Sequence, residues 1–274
     1  MSPGPDDGMR SRRCFASALP GPRRTLACIA TLCAATGAFA EAGFEPAQIE
    51  NWGYFQRNES GSAEWKLQPR LLVPYRFAND WSFTQRVDLP LVYTDKAGTA
   101  NPDGTWSFGV GNIFVEEIVE SREVADGLRL KTSVRFVFPT GKATPFGSSQ
   151  YQWAPGVGAV YAMPSLLRGV TLAPYVRYFS GFAPTRADVT EVRRFDLYPA
   201  LDFGLGGCWS LHLYPENPIE YNRSNGAWFV PLDAMVACRL SRTLQWGLGG
   251  AYKLGDPRDP PYRYIVDTRL AVRF

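Results

Sequence analysis

Residues Tyr262–Phe274 read YRYIVDTRLAVRF, and their alternation decides the fold. Counted back in twos from the end, one face is Phe274, Val272, Leu270, Thr268, Val266, Tyr264 and Tyr262. The other is Arg273, Ala271, Arg269, Asp267, Ile265 and Arg263. A period of two places these sets on opposite sides of a strand, one apolar and one largely charged. Thirteen residues at ~3.3 Å each reach about 43 Å. Tilted by ~40°, they span roughly 33 Å along a membrane normal, more than the ~25 Å apolar band of an outer-membrane barrel. Strands of soluble folds usually run five or six residues.

The pattern recurs along the chain. Glu64 to Phe77 sets Trp65, Leu67, Leu71, Val73, Tyr75 and Phe77 against Lys66, Gln68, Arg70 and Arg76. Trp81 to Thr94 sets Trp81, Phe83, Val87, Leu89, Leu91 and Tyr93 against Thr84, Arg86 and Asp88. Similar alternation runs through Leu128–Phe138, Arg194–Phe203 and Trp228–Leu240. Weaker strands are expected near Asn51–Arg57, Gly104–Ser121, Gln150–Met163, Gly169–Ser180, Trp209–Glu216 and Leu244–Lys253. The expected fold is all-β: a closed, antiparallel, up-and-down transmembrane β-barrel of about twelve strands over 51–274, after a short N-terminal segment at 41–50. Closure follows from the solvent, because hydrocarbon offers no partner to a free backbone N–H or C=O.

The connections agree. Short links are expected at 78–80, 165–168, 204–207 and 241–243, with an intermediate one at 122–127. Long links are expected at Asp95–Asp103, Thr140–Ser149, Gly181–Val189, Pro215–Asn225 and Gly255–Pro261. Short periplasmic turns alternating with longer outer loops is the habit of such barrels.

Composition narrows the classes. Of 274 residues, 20% are charged and 14% aromatic, and the formal charge is only +3. That mix favours strands, lacks the ~18 consecutive apolar residues of a spanning helix, and offers no basic patch or module for nucleic acid. Residues 1–40 read as an export signal: Arg23 and Arg24, an apolar run from Leu26 to Thr36, then Ala38-Phe39-Ala40 for cleavage. Translation starting at Met9 would give that signal a more ordinary length. Cys14, Cys28 and Cys33 would leave with it. The remaining pair, Cys208 and Cys238, reads either as a disulfide in an exported protein or as two small apolar side chains. Their expected register puts them on opposite faces, which counts against the bond.

Candidate functional residues follow from the inward face. Arg70, Arg76, Arg86, Asp88, Arg135, Arg177, Asp196, Asp202, Asp233, Arg239, Asp267 and Arg269 should project into the lumen. They read either as cross-strand ion pairs that pack the interior or as a pore lining that favours anionic or aromatic solutes, since the basic set is the larger. Inner aromatics such as Tyr175 and Tyr198 can stack on arginine. Trp65, Tyr75, Phe77, Trp81 and Tyr93 should form outer aromatic girdles at headgroup depth.

Other chemistry is poorly supported. Phe138-Pro139-Thr140-Gly141-Lys142 has Phe136 where a phosphate loop needs its first Gly, and Ala143 where it needs Ser or Thr. His212 is the single histidine, so no metal site is expected. Ser210 and His212 share a strand face, as in some outer-membrane lipid hydrolases. A nucleophile also needs a group to orient its base, and no carboxylate suggests itself from the sequence. The pair also falls towards the periplasmic end, whereas those hydrolases work at the outer rim. The chain is therefore read as no enzyme, with no cofactor.

The blocks LQPRLLVPYRFANDWSFTQRVDLPLVY, FGVGN, FPTG, NRSNGAWFVPL and YKLGDPRDPPYRYIVDTRLAVRF resemble a bacterial outer-membrane family named for the meta-pathway of phenol degradation. The resemblance covers 51–274. It implies an outer-membrane channel or transporter for passive passage of small, aromatic or anionic solutes. Phe274 is similar to the terminal signal read by the barrel-assembly machinery. Membrane lipid and lipopolysaccharide are the other expected partners. Family members usually carry Asp where this chain has Asn112, which removes a carboxylate here. The alternatives are a plugged structural or adhesive barrel whose outer loops bind a ligand, and the lipid hydrolase built on Ser210 and His212. A secreted β-sandwich is a further reading, and it requires a mature chain that stays in solution without detergent.

Overall fold

The computed structural model describes residues 43–141, 143–163, 169–257 and 260–274. The expected leader at 1–40, with Met9, Cys14, Cys28 and Cys33, lies outside them, as do Lys142 and the link at 165–168. Twelve staves follow in chain order. They are β1 (Gln48–Arg57), β2 (Ala63–Arg76), β3 (Ser82–Asp88 with Leu91–Thr94) and β4 (Ser107–Val110 with Phe114–Glu120). Next come β5 (Leu128–Val137), β6 (Gln150–Ala162), β7 (Val170–Pro184) and β8 (Arg193–Gly206). The last are β9 (Trp209–Leu213 with Ile219–Asn222), β10 (Ala227–Phe229 with Pro231–Arg239), β11 (Leu244–Lys253) and β12 (Tyr264–Arg273).

Each stave pairs antiparallel with the next. The last returns to the first over ten residue pairs, from Tyr264 against Arg57 to Arg273 against Gln48. The cylinder is thus closed. Its first stave begins at Gln48, a little before the expected Asn51.

Burial is inverted relative to a soluble domain. On the outside Val157 is 59% exposed and Leu248 47%, while inside Asp88 is 0% and Glu116 1% exposed. The apolar surface is therefore matched to hydrocarbon and the charges to the interior. Register is pinned by this contrast, since a one-residue slip would exchange the two faces. Aromatic side chains gather near both rims. Trp65 packs on Phe55 at 4.6 Å and Tyr93 on Trp106 at 4.8 Å, between ring centroids, towards one end. Tyr75 meets Phe77 at 5.3 Å near the other, where Trp81 is also exposed.

The links differ in length between ends. Among the described residues, the end where the barrel wall has its termini, Gln48 and Arg273, has links at 77–81, 121–127, 207–208 and 240–243. The opposite end has 58–62, 95–106, 185–192 and 223–226, together with the described residues of the links that follow Val137 and Lys253. One expectation is corrected. The stretch from Pro215 to Asn225 is not a long rim loop, because Ile219–Asn222 rejoin the wall against Leu197 to Arg194. Only 223–226 form the link, and 214–218 are a break within β9.

That break has a local cause. Tyr214 takes φ of 51°, which a ladder cannot continue through, and Pro215 and Pro218 bring no N–H to pair. The freed N–H groups of Glu216 and Asn217 donate instead to the Asp233 carboxylate on β10, at 3.2 and 2.8 Å.

Cys208 and Cys238 form a disulfide with Cα atoms 4.8 Å apart. Strict alternation argued against it. Cys208, however, lies in the turn ahead of β9, after Gly206 and Gly207 with φ of 93° and 60°. Side-chain alternation begins only at Trp209, so Cys208 is free to face Cys238.

Two outcomes test this arrangement. Leu248→Arg, on the hydrocarbon face, is expected to destabilise the barrel by roughly 2–4 kcal/mol, measured by urea unfolding in phospholipid vesicles. Val124→Arg, in a link, should change little. Reducing the disulfide, which closes a loop with a sequence separation of 30, should lower stability by about 2–4 kcal/mol on the same assay.

Candidate functional site

The middle of the barrel holds a connected set of charges. Arg70 of β2 is its hub. Its Nε reaches Asp88 Oδ1 at 2.8 Å, its Nη1 reaches Glu50 Oε2 at 3.1 Å, and its Nη2 reaches Glu216 Oε1 at 2.5 Å. The first two carboxylates stand on the adjacent staves. Glu216 comes from the break in β9, on a distant part of the wall, so this ion pair crosses the lumen. Gln68 Nε2 donates to the same Oδ1 of Asp88 and Arg86 Nε to its Oδ2, each at 2.6 Å. Glu50 also takes hydrogen bonds from Trp52 Nε1 at 2.7 Å and from Arg269.

A second centre is Glu116 of β4. It pairs with Arg135 at 2.7 Å and with Arg177, and accepts from the Ser133 hydroxyl at 2.7 Å. Tyr175 lies across β6, its hydroxyl 2.5 Å from Ser133 Oγ. Gly156 makes room for it, because a Cβ there would stand 1.8 Å from the phenol oxygen. Arg86 joins the two centres, 3.8 Å from Glu116. A third pairing links Arg194 to Asp196 at 2.7 Å and to Glu220 at 3.5 Å.

Among these described groups, six guanidinium groups (Arg70, Arg86, Arg135, Arg177, Arg194, Arg269) meet six carboxylates (Glu50, Asp88, Glu116, Asp196, Glu216, Glu220). The basic excess expected from the sequence therefore disappears over the cluster as a whole. Pairing of this kind is what buried charges require, since an uncompensated one is costly in a low-dielectric interior, though the Nε atoms of Arg177 and Arg269 are buried without a partner among the described residues. Apolar groups fill part of the remaining section. Trp52, Tyr54, Phe229, Met235, Ala251, Tyr262 and Ile265 form one buried cluster.

A cavity of about 270 Å³ remains beside this cluster. Five cationic residues line it, Lys66, Arg86, Arg135, Arg177 and Arg194, against three anionic ones, Asp196, Glu216 and Glu220. Its aromatic walls include Phe114, Phe179 and Tyr198. All five cations lie over rings, among them Arg135 4.1 Å from the Phe114 centroid, Lys66 4.2 Å from that of Tyr54 and Arg194 4.8 Å from that of Phe179. A small space bounded by guanidinium groups and ring faces suits a planar, negatively charged solute.

The expected lumen residues divide. Arg70, Arg86, Asp88, Arg135, Arg177, Asp196 and Arg269 meet in this network. Asp233 and Asp267 are buried near it, Asp233 anchoring the break in β9. Arg76 does not reach the network, because it is half exposed at the end carrying the termini and pairs there with Glu45 at 2.6 Å. Arg239 is exposed at the same end. Asp202 pairs with His212 at 2.6 Å. Glu50, Glu116, Arg194, Glu216 and Glu220 were absent from the expected set. Period-two reading of β1 and β4 could have found Glu50 and Glu116. Nothing local marks Glu216, which sits between two prolines.

Two other motifs act as struts. Thr140 of FPTG accepts from Ile113 N at 2.8 Å and donates to Gly111 O at 2.7 Å, tying the end of β5 to the break in β4. Asn112 donates to Ser148 Oγ at 2.8 Å and accepts from Gly141 N at 3.2 Å. These bonds use both ends of a carboxamide, which a carboxylate could not supply.

Comparison with protein-family models and with curated proteins finds no match. The resemblance to the phenol-pathway family thus stands on the sequence blocks alone. Among solved structures, the fold is similar to an outer membrane channel from Pseudomonas putida F1, with 11% identity and a TM-score of 0.66. That match covers 87% of this chain and 99% of the other. The NanC porin is similar at 12% identity and a TM-score of 0.51, over 82% of this chain and 98% of the porin. At these identities the likeness is one of fold: an outer-membrane-type barrel.

The network predicts unequal costs. Arg70→Ala leaves the buried carboxylates of Glu50 and Asp88 short of their shared cation, and should destabilise by roughly 3–5 kcal/mol. Arg76→Ala, at the exposed pair, should cost no more than about 1 kcal/mol. Urea unfolding of both variants in vesicles checks the contrast.

Proposed function

We propose that the chain is an outer-membrane channel for passive passage of small solutes, with a preference for small aromatic or anionic ones. The observation that carries this reading is the cavity of about 270 Å³ with five cationic and three anionic residues and aromatic walls. Its local positive excess survives although the whole charge network is balanced. Lumen charges of this kind set selectivity at close quarters. The solved channels of similar fold support the class of protein, and the solute is inferred from the cavity alone.

On this reading the end with both termini faces the periplasm, following the usual asymmetry of link lengths. The aromatic residues near the rims then lie at headgroup depth, among phospholipid on one side and lipopolysaccharide on the other. Phe274, which follows β12 and is 65% exposed, would on this reading be open to recognition by the barrel-assembly machinery.

A second reading is a closed barrel whose outer loops bind a ligand. It is favoured by the ion pair from Arg70 to Glu216, which bridges the lumen. Single-channel recording in planar bilayers separates the two. The channel reading expects a steady small current, a reversal potential on the anion side in a salt gradient, and reduced current with benzoate. Glu216→Ala, which unties the bridge, should raise the conductance. Silence from both folded wild type and Glu216→Ala would overturn the channel and leave the closed barrel.

A further inference from the structure

The barrel carries a second site, apart from the charge network. Near the end with the termini, Ser210 Oγ lies 2.8 Å from His212 Nε2, and His212 Nδ1 lies 2.6 Å from Asp202 Oδ1. We propose that Asp202, His212 and Ser210 form a hydrolytic relay that cleaves small water-soluble carboxylic esters inside the barrel mouth.

The fold assembles this constellation by pairing. β8 and β9 run antiparallel with Asp202 opposite His212 and Gly204 opposite Ser210. Ser210 and His212 are two apart, so they share a face, and their partners place Asp202 on that face too. The face is the inner one: His212 also pairs with Met235, and Ser210 with Ala237, which are 1% and 0% exposed. Gly204 brings no side chain against Ser210, which leaves space beside the hydroxyl. The His212 side chain is 21% exposed and that of Asp202 42%, so water reaches the relay.

The hydrogen bonds define the protonation. The Asp202 carboxylate can only accept, so His212 Nδ1 carries the proton. Nε2 is then left with its lone pair towards the Ser210 hydroxyl, which donates to it. This is the arrangement that activates a serine: base within hydrogen-bond reach, and a third group holding the base's tautomer. As Ser210 Oγ bonds to the ester carbonyl carbon, His212 Nε2 takes its proton. The bond from that carbon to the alcohol oxygen then breaks, and the proton passes to the leaving alkoxide. Water attacks the acyl-serine with His212 again as base, releasing the acid and restoring the hydroxyl. Asp202 acts throughout as a positioning residue. Arg239, two residues beyond Ala237 on the same face, stands one diagonal step from Ser210 and offers positive charge to an anionic substrate.

The substrate class follows from direction. The relay faces the aqueous interior, and its neighbours Leu211 and Leu213 take the outer face. A bilayer lipid on the outside is separated from Ser210 by the wall. This differs from the lipid hydrolase considered from sequence, for which no orienting carboxylate was apparent.

A fluorophosphonate probe and p-nitrophenyl acetate test the proposal on refolded barrel in detergent micelles. Intact mass should show one probe per chain, on Ser210, and none on Ser210→Ala. His212→Gln and Asp202→Asn should slow labelling and ester turnover by about 100-fold or more, with each barrel still folded by its heat-modifiable band on a gel. The single histidine provides a spectroscopic check. Its Nδ1 proton should give a strongly downfield resonance that Asp202→Asn removes. Folded wild type that is labelled no faster than Ser210→Ala would overturn the relay. Faster turnover of phosphatidylcholine in mixed micelles than of p-nitrophenyl acetate would overturn the substrate class.

Discussion

The ten-pair seam between Gln48–Arg57 and Tyr264–Arg273 is the contact on which the rest depends. Each unpaired backbone N–H or C=O in hydrocarbon costs several kcal/mol, so an open sheet of this length could not be held in a bilayer. Closure removes that cost at every stave together. It also divides space into two solvents. From that division comes the alternation along each strand, with side chains such as Leu248 outside and Asp267 inside.

Closure also dictates where irregularity can go. The break at 214–218 frees backbone donors, and outward they would meet lipid. Inward, they find the Asp233 carboxylate, which accepts from both Glu216 and Asn217. The same inward turn carries the Glu216 side chain to Arg70. One structural need, satisfying two N–H groups, thereby narrows the lumen and completes the coordination of a buried guanidinium. The carboxylate that anchors the break and the one that crosses the lumen act in series, and neither is interchangeable with a loop contact.

Much of the wall was legible because its signal is local. Trp65 to Phe77 and Tyr262 to Phe274 alternate within themselves, and a barrel needs only that two-residue period repeated. The misreadings share a different origin. Pro215, Asn217 and Pro218 carry the residue types of a surface turn, and here they make an inward break. Cys208 was assigned a face by counting through a turn in which Gly206 and Gly207 adopt positive φ. Asp202 was recognised as an inward charge. Its bond to His212, ten residues away, depends on the register of β8 against β9, which no local pattern specifies. The balance of charge was missed likewise: period-two reading of their strands places Glu50 and Glu116 inside, but the arginines they pair with stand on other strands.

The origin of the constriction bears on how the barrel can work. A plug formed by a long rim loop can swing aside on a flexible tether. Here the narrowing segment is tied to the wall at both ends, by Leu213 against Ala234 and by Ile219 against Leu197, with five residues between. A tether that short, containing two prolines, has little freedom to leave the lumen. On the channel reading proposed above, passage then depends on side chains changing rotamer and exchanging ion-pair partners around Arg70, Arg86 and Glu216, motions of picoseconds to nanoseconds where groups are exposed and slower where they are packed. On that same proposed reading, the lumen passes what can replace one of its own partners for a moment: a small carboxylate in the place of Glu216 on a guanidinium, or an aromatic ring stacked where Phe114 and Phe179 lie.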